Sequence, residues 1–99
     1  MIVSGQLGLL DGDLVRGGVG AEVRQALANM AALLEAEGAG LSSVVKTTVF
    51  LTHMSDYGPM NDAYIESFGD HRPARAAVAV AGLPLSAKVE IEAWAYLAR

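Results

Sequence analysis

The sequence predicts an α+β domain, a two-layer sandwich in which two helices cover one face of a mixed sheet, and three observations predict it. Apolar residues recur at helical spacing in two segments, Ala21 to Glu37 and Tyr57 to Phe68. The segments around them are rich in Val, Ile, Thr and Phe, the residues that suit a pleated surface. The resulting order, β-β-α-β-α-β-β, interleaves strands and helices in a way that only a layered packing can bury.

Met1 to Leu9 reads as a strand. Asp11-Gly12 is a hairpin signal, because both residues tolerate the positive φ of a tight turn, and Leu14 to Arg16 reads as the short return strand. Gly17-Gly18-Val19-Gly20 is a flexible break. The helix over Ala21 to Glu37 carries Val23, Leu27, Met30 and Leu34 on one stripe, and Gly38 is placed to end it. Val44 to Leu51 reads as a strand. Ser55 or Asp56 is positioned to cap the second helix, whose apolar stripe runs Tyr57, Met60, Tyr64 and Phe68. Ala74 to Val80 is a strand, Gly82-Leu83-Pro84 turns the chain, and Lys88 to Leu97 is the last strand.

That last strand separates its residues by face. Val89, Ile91, Ala93, Ala95 and Leu97 form an apolar row suited to the helices. Lys88, Glu90, Glu92, Trp94 and Tyr96 form the opposite row, a mixture of charge and large aromatics that fits a semi-polar contact between subunits.

Composition leads to the same expectation. The chain has 99 residues, enough for one domain, and is 53% hydrophobic but only 18% charged. So small a domain has much surface to cover, and the apolar excess predicts an oligomer. No run approaches the ~18 apolar residues of a membrane span. The net charge of -4 argues against a nucleic-acid partner, which needs a basic surface. The absence of cysteine excludes disulfides, thiolate chemistry and cysteine zinc sites. The start has neither a basic leader nor a signal-like apolar core, so a cytoplasmic location is expected.

Arg75 opens one strand, and Glu90 and Glu92 lie on one face of the next. If those two runs pair, a permanent cation and a carboxylate converge on a small site. A guanidinium fork can grip a carboxylate through two parallel hydrogen bonds, which lysine cannot reproduce. A nearby cation keeps a carboxylate ionised, and an ionised, oriented Glu90 can activate water. The plainer alternatives are a solvated arginine and solvated strand carboxylates, with Glu92 pairing to Lys or Arg across a strand or interface. His53 and His71 lack any neighbouring ligand pattern, so no metal site is expected. Ser4-Gly5 marks a place where backbone must approach something closely, and Asn61 read alone is a surface amide off the apolar stripe. The glycines at 17–20 lack the Lys-Ser/Thr that completes a phosphate loop.

Taken in order, Ser4-Gly5-Gln6, Gln25-Ala26-Leu27-Ala28-Asn29, Val44 to Leu51, Met60-Asn61-Asp62-Ala63-Tyr64, Pro73-Ala74-Arg75 and Lys88 to Ala93 resemble the Rid family, the reactive intermediate deaminases also called YjgF-like or L-PSP-type proteins. The resemblance covers essentially the whole chain. It implies a chorismate-mutase-like fold and a homotrimer whose sheets form a central barrel, with clefts between subunits. It further implies hydrolysis of enamines and imines such as 2-aminoacrylate to 2-keto acids and ammonia, without metal or cofactor. By position, Arg75 matches the arginine that binds the substrate carboxylate and Glu90 the glutamate that holds the attacking water. Ser4, Gly5 and Asn61 match positions lining or supporting the cleft, and Ala77 matches one whose backbone faces it. Members usually carry a further N-terminal strand whose tyrosine borders the cleft. This sequence begins where that strand would have ended, which predicts an open sheet edge and a missing wall. Gly82, where a basic residue is frequent, predicts a wider or weaker pocket. A non-catalytic trimer that binds small carboxylates is the alternative reading. Ribonuclease activity fits the negative charge poorly.

Overall fold

In the computed structural model, which describes residues 1–98, four strands form one sheet and two helices cover a single face of it. The elements are β1 (Ile2–Gln6), β2 (Leu9–Leu10), β3 (Asp13–Leu14), α1 (Val19–Glu35), β4 (Val44–Leu51), α2 (Tyr57–Phe68), β5 (Ala74–Ala79) and β6 (Val89–Ala95). The sheet order is β1-β6-β4-β5, with β4 and β5 parallel and the other two pairs antiparallel. The parallel pair is joined through α2, since parallel neighbours need a crossover.

Most of the expected elements form where the sequence places them. β4 has the expected bounds, and the other strands and helices shift by a few residues at their ends. The first strand is shorter than expected. It ends at Gln6, and Leu9–Leu10 leave the main sheet to pair with Asp13–Leu14 in a small hairpin. The turn between them has Asp11 at φ 53 and Gly12 at φ 88, the paired positive values its residues favour. Asn29 holds the departing segment against α1, its amide donating to the carbonyls of Leu7 at 3.3 Å and Leu9 at 2.9 Å. The break at 17–20 is shorter than expected, because Gly20 already lies inside α1. Asp56 stands at the start of α2 but its side chain makes no cap. A 3-10 turn over Met54–Asp56 runs directly into the helix and closes the Asp56 N–H onto the His53 carbonyl instead.

The core lies between the helices and the sheet. Val23, Leu27, Met30 and Leu34 of α1 meet Val49, Leu51, Val89 and Ile91, all buried. α2 contributes Met60, Ala63, Tyr64 and Phe68. Tyr57, expected on that stripe, is 38% exposed and lies outside the core. Burial along β6 alternates residue by residue, with Val89, Ile91, Ala93 and Ala95 inward. Two polar ties fix the layers. Thr47 and Tyr64 share a buried hydroxyl–hydroxyl bond of 2.7 Å. The carboxylate of Glu22, itself buried in the first turn of α1, accepts the backbone N–H of Lys88 at 2.9 Å and so clips that helix to the entry of β6.

The other face of the sheet has no cover. Ile2, Val78 and Trp94 are 65%, 42% and 53% exposed there, beside Lys46, Thr48, Phe50, Glu90 and Glu92. Large apolar side chains on one open sheet face are the excess that composition anticipated.

Leu27 is fully enclosed between α1 and the sheet. Leu27→Ala should lower unfolding free energy by about 2–5 kcal/mol, the usual cost of a buried cavity of that size, read as a fall in the denaturant midpoint at constant slope.

Candidate functional site

The residues singled out in the sequence fall into two groups on opposite faces of the sheet. β5 and β6 do not pair, because β4 lies between them. Arg75 aligns with the buried Thr47, so it lies on the helix-covered face at the free edge of β5. Glu90 aligns with Phe50 and stands between the buried Val89 and Ile91, so it lies on the open face. The expected convergence of Arg75 and Glu90 within one chain therefore does not occur. A pairing of β5 with β6 would have been needed, and β4, which pairs with both, occupies the place between them.

The first group surrounds Arg75. Its Nη1 donates to Asn61 Oδ1 at 2.7 Å, and its Nη2 donates to the Tyr57 hydroxyl at 2.6 Å. The guanidinium carbon lies 4.7 Å from the centre of the Tyr64 ring and 5.5 Å from that of Tyr57. These rings supply the electron-rich faces that attract a cation. Both hydrogen-bond acceptors are neutral. Among the described residues the one ion pair is Arg24 with Glu66 at 3.9 Å, so Arg75 is oriented but its charge is not compensated. A guanidinium has five N–H donors, more than these two bonds use, and Arg75 lines a cavity of about 380 Å³ together with Asn61, Tyr64, Ile65, Arg72 and Pro73. Ala77 lies two residues further along the same face of β5, half-buried against the core.

Tyr57, Asn61 and Tyr64 reach this group because spacings of four and three residues share one side of a helix. That spacing is present in the sequence. Asn61 is not the surface amide expected from its place beside the apolar stripe: it is half-buried and engaged. Tyr57 and Arg72 are functional candidates that the sequence reading did not single out. The Tyr57–Asn61 interval is the signal that could have found the first.

The second group surrounds Glu90 on the open face. Gly5 of β1 lies against its carboxylate so closely that a Cβ there would stand 2.6 Å from Cδ and 2.7 Å from Oε2. A larger residue at position 5 would displace the Glu90 carboxylate from this place. Ser4 is exposed on the same strand, next to a bulge that interrupts the β1–β6 register. Glu92 faces Thr48 across β4 and has no ion-pair partner among the described residues.

Among the described residues no three His, Asp or Glu come together as a metal site would require. His71 is engaged structurally, its Nε2–H donating to the Val44 carbonyl at 2.7 Å. Two larger hollows, about 460 and 540 Å³, open at another end of the sheet around Glu37, Tyr96 and Leu97, and among the described residues no arginine lines either. Among the described residues no helix is long and apolar enough to cross a membrane.

Comparison with known proteins places this geometry in context. Residues 1–97 match the model of the Endoribonuclease L-PSP family. A 2-iminobutanoate/2-iminopropanoate deaminase of Mus musculus is 50% identical over 93 residues, which are 92% of this chain and 69% of that protein. The crystal structure of RidA from an Antarctic Psychrobacter superposes with a TM-score of 0.92 at 40% identity, covering 97% of this chain and 79% of the other. The structure of Escherichia coli TdcF with bound serine gives a TM-score of 0.91 at 33% identity, covering 98% and 80%.

Beneath Arg75, burial pushes the Tyr64 phenol above the ordinary tyrosine value of 10.0, outweighing the hydrogen bond from Thr47 and the nearby Arg75 and Arg72 charges, which act the other way. A raised folded-state value leaves stability untouched below pH 10.0 and removes it as pH rises through the folded value. An alkaline absorbance titration should therefore contain a late phenolate component that is absent from Tyr64→Phe. The variant, which leaves Thr47 without its partner, should lose about 1–3 kcal/mol at neutral pH. Equal late components in both proteins would contradict the assignment.

Proposed function

The chain belongs to the Endoribonuclease L-PSP family and is similar to a protein named 2-iminobutanoate/2-iminopropanoate deaminase, and from that premise we propose that it hydrolyses reactive enamines and imines such as 2-aminoacrylate to 2-keto acids and ammonia. One observation supports this reading above the others: Arg75 is held in a fixed orientation by neutral acceptors, and its charge is left for a small anion. The fork takes the substrate carboxylate, which fixes the position of the reacting carbon, so much of the rate gain is orientation.

The chemistry then needs a base on the other side of that carbon. The enamine tautomerises to its imine. Glu90 accepts a proton from a water, whose oxygen bonds to the imine carbon as the C=N electron pair moves onto nitrogen, and the Glu90 carboxyl then gives that proton to the nitrogen. In the collapse of this tetrahedral adduct the hydroxyl proton passes by way of Glu90 to the departing nitrogen, the C–N bond breaks as the C=O bond forms, and ammonia and the keto acid are released.

Because Arg75 and Glu90 occupy opposite faces of one chain, the reading requires a second copy. In it, the β5 edge of one subunit with Arg75, Asn61 and Ala77 meets the open face of a neighbour carrying Ser4, Gly5 and Glu90. A homotrimer with such clefts also covers the exposed Ile2, Val78 and Trp94. The acidic balance of the chain favours this small-molecule reading over a nucleic-acid substrate.

Light scattering on the eluting protein should give about three times the chain mass of 10.3 kDa. A monomer at working concentration would remove the shared cleft.

The activity is tested by generating 2-aminoacrylate with a pyridoxal-phosphate dehydratase and following keto-acid release with and without the protein. Glu90→Gln should lower turnover by roughly 10²–10⁴-fold while small carboxylates still bind. Arg75→Lys should weaken carboxylate binding, because lysine keeps the charge and loses the fork. Carboxylate binding by the wild type without any turnover would make it a binding protein instead.

A further inference from the structure

We propose that Arg72 forms a second carboxylate subsite beside Arg75, so that the preferred ligands are dicarboxylates and the preferred substrates are imines of acidic 2-amino acids. The substrate class rests on the deaminase reading above; the ligand class rests on the cavity alone.

Arg72 and Arg75 line the same cavity of about 380 Å³. The segment between them is stiff. Pro73 fixes its own φ and disfavours a helical conformation at Arg72, and β5 begins at Ala74. Three extended residues separate the two Cα atoms by at most about 10 Å, a span that two long side chains close easily. The Tyr64 ring lies under Arg75, and the charges of both arginines act on its hydroxyl.

Neither guanidinium is neutralised. Arg72 Nη1 donates to the backbone carbonyls of Gly69 and His71, the latter at 3.0 Å. Arg75 donates to an amide and a phenol. Among the described residues no carboxylate lies within ion-pair distance of either one. This occurs in a chain with 11 acidic residues against 7 basic ones, where acidic partners are in excess. Two like charges sharing a cavity repel, and a ligand with two carboxylates removes that repulsion while gaining a charge-assisted bond at each.

A monocarboxylic imine uses only Arg75. An aspartate- or glutamate-derived imine places its first carboxylate on Arg75 and its second on Arg72, with Ile65 and Pro73 beside the intervening methylene carbons. Arg72 is exposed, so its contribution is moderated by solvent but its replacement leaves the core intact.

Calorimetry with succinate and propionate tests the ligand class without any turnover. The wild-type protein should bind succinate about tenfold or more tightly than propionate, the factor expected of one added charge-assisted bond. That ratio should fall toward one in Arg72→Gln and return in part in Arg72→Lys. A wild-type ratio near one, or a ratio unchanged by Arg72→Gln, overturns the proposal. The substrate arm uses imines made from alanine, aspartate and glutamate by flavin amino-acid oxidases, with hydrolysis measured above the spontaneous rate. The ratio of kcat/KM for the acidic imines to that for the alanine imine should drop about tenfold in Arg72→Gln. Hydrolysis of the alanine imine without any Arg72-dependent preference overturns this inference and leaves the deaminase reading standing. Arg72-dependent succinate selectivity without hydrolysis of any imine upholds the dicarboxylate site and overturns the deaminase reading.

Discussion

The buried bond between Thr47 and Tyr64 decides where the second helix rests on the sheet, and the candidate site follows from that placement. Both hydroxyls are shut away from water, so leaving either without a partner is expensive, and the helix has one seating that satisfies them. In that seating the Tyr64 ring becomes the floor under Arg75, while Tyr57 and Asn61, on the same side of α2, come within reach of its two terminal nitrogens. The side chain that would otherwise wander at a sheet edge is held at three points. Its long stem gives up rotamer freedom during folding rather than at the moment a ligand arrives.

The second constraint is the alternation of the sheet. Thr47 faces inward, so its neighbour Arg75 does too; Phe50 faces outward, and Glu90 with it. No adjustment of side-chain rotamers carries Glu90 through a sheet whose inner face is packed with Val49, Ile91 and Ala93. A single chain therefore presents two incomplete sets of groups, each positioned with care. Gly5 is cut back to leave room for the Glu90 carboxylate, and the Glu22 carboxylate holds the backbone two residues before it. Local order of this kind around a carboxylate on an uncovered face is understandable if another surface completes it.

The two sets also differ in electrostatic character. The Arg75 set is rich in donors and carries two positive charges, that of Arg75 over two aromatic rings, within a chain whose net charge is -4. The Glu90 set is acidic and semi-polar, with Glu92 and Trp94 beside it. Surfaces of opposite character complement each other, as the proposed assembly needs, and the small residues along β5 leave room for close approach. What the cavity beside Arg75 selects then depends on a residue outside any regular element, Arg72, on a loop stiffened by proline.

The sequence by itself determined whatever depends on neighbours along the chain. The 3.6-residue spacing of Val23, Leu27, Met30 and Leu34 fixed α1 and its buried side, the alternation from Val89 to Ala95 fixed the two faces of β6, and Asp11-Gly12 fixed the small hairpin turn. Arg75, Glu90 and Gly5 could be picked out because their residue types carry chemistry or demand space. Tertiary structure decided the rest. The order of strands depends on pairing between residues far apart in sequence, and it put β4 between the strands of Arg75 and Glu90. The departure of Leu9 and Leu10 from the main sheet depends on Asn29, on a helix that comes later. Tyr57 reads as a core residue from its spacing alone, and it is drawn out to the edge because Arg75, arriving from a different element, offers its hydroxyl a charged donor there. Periodicity is written into a segment, whereas which faces and edges meet is settled only when distant segments pack.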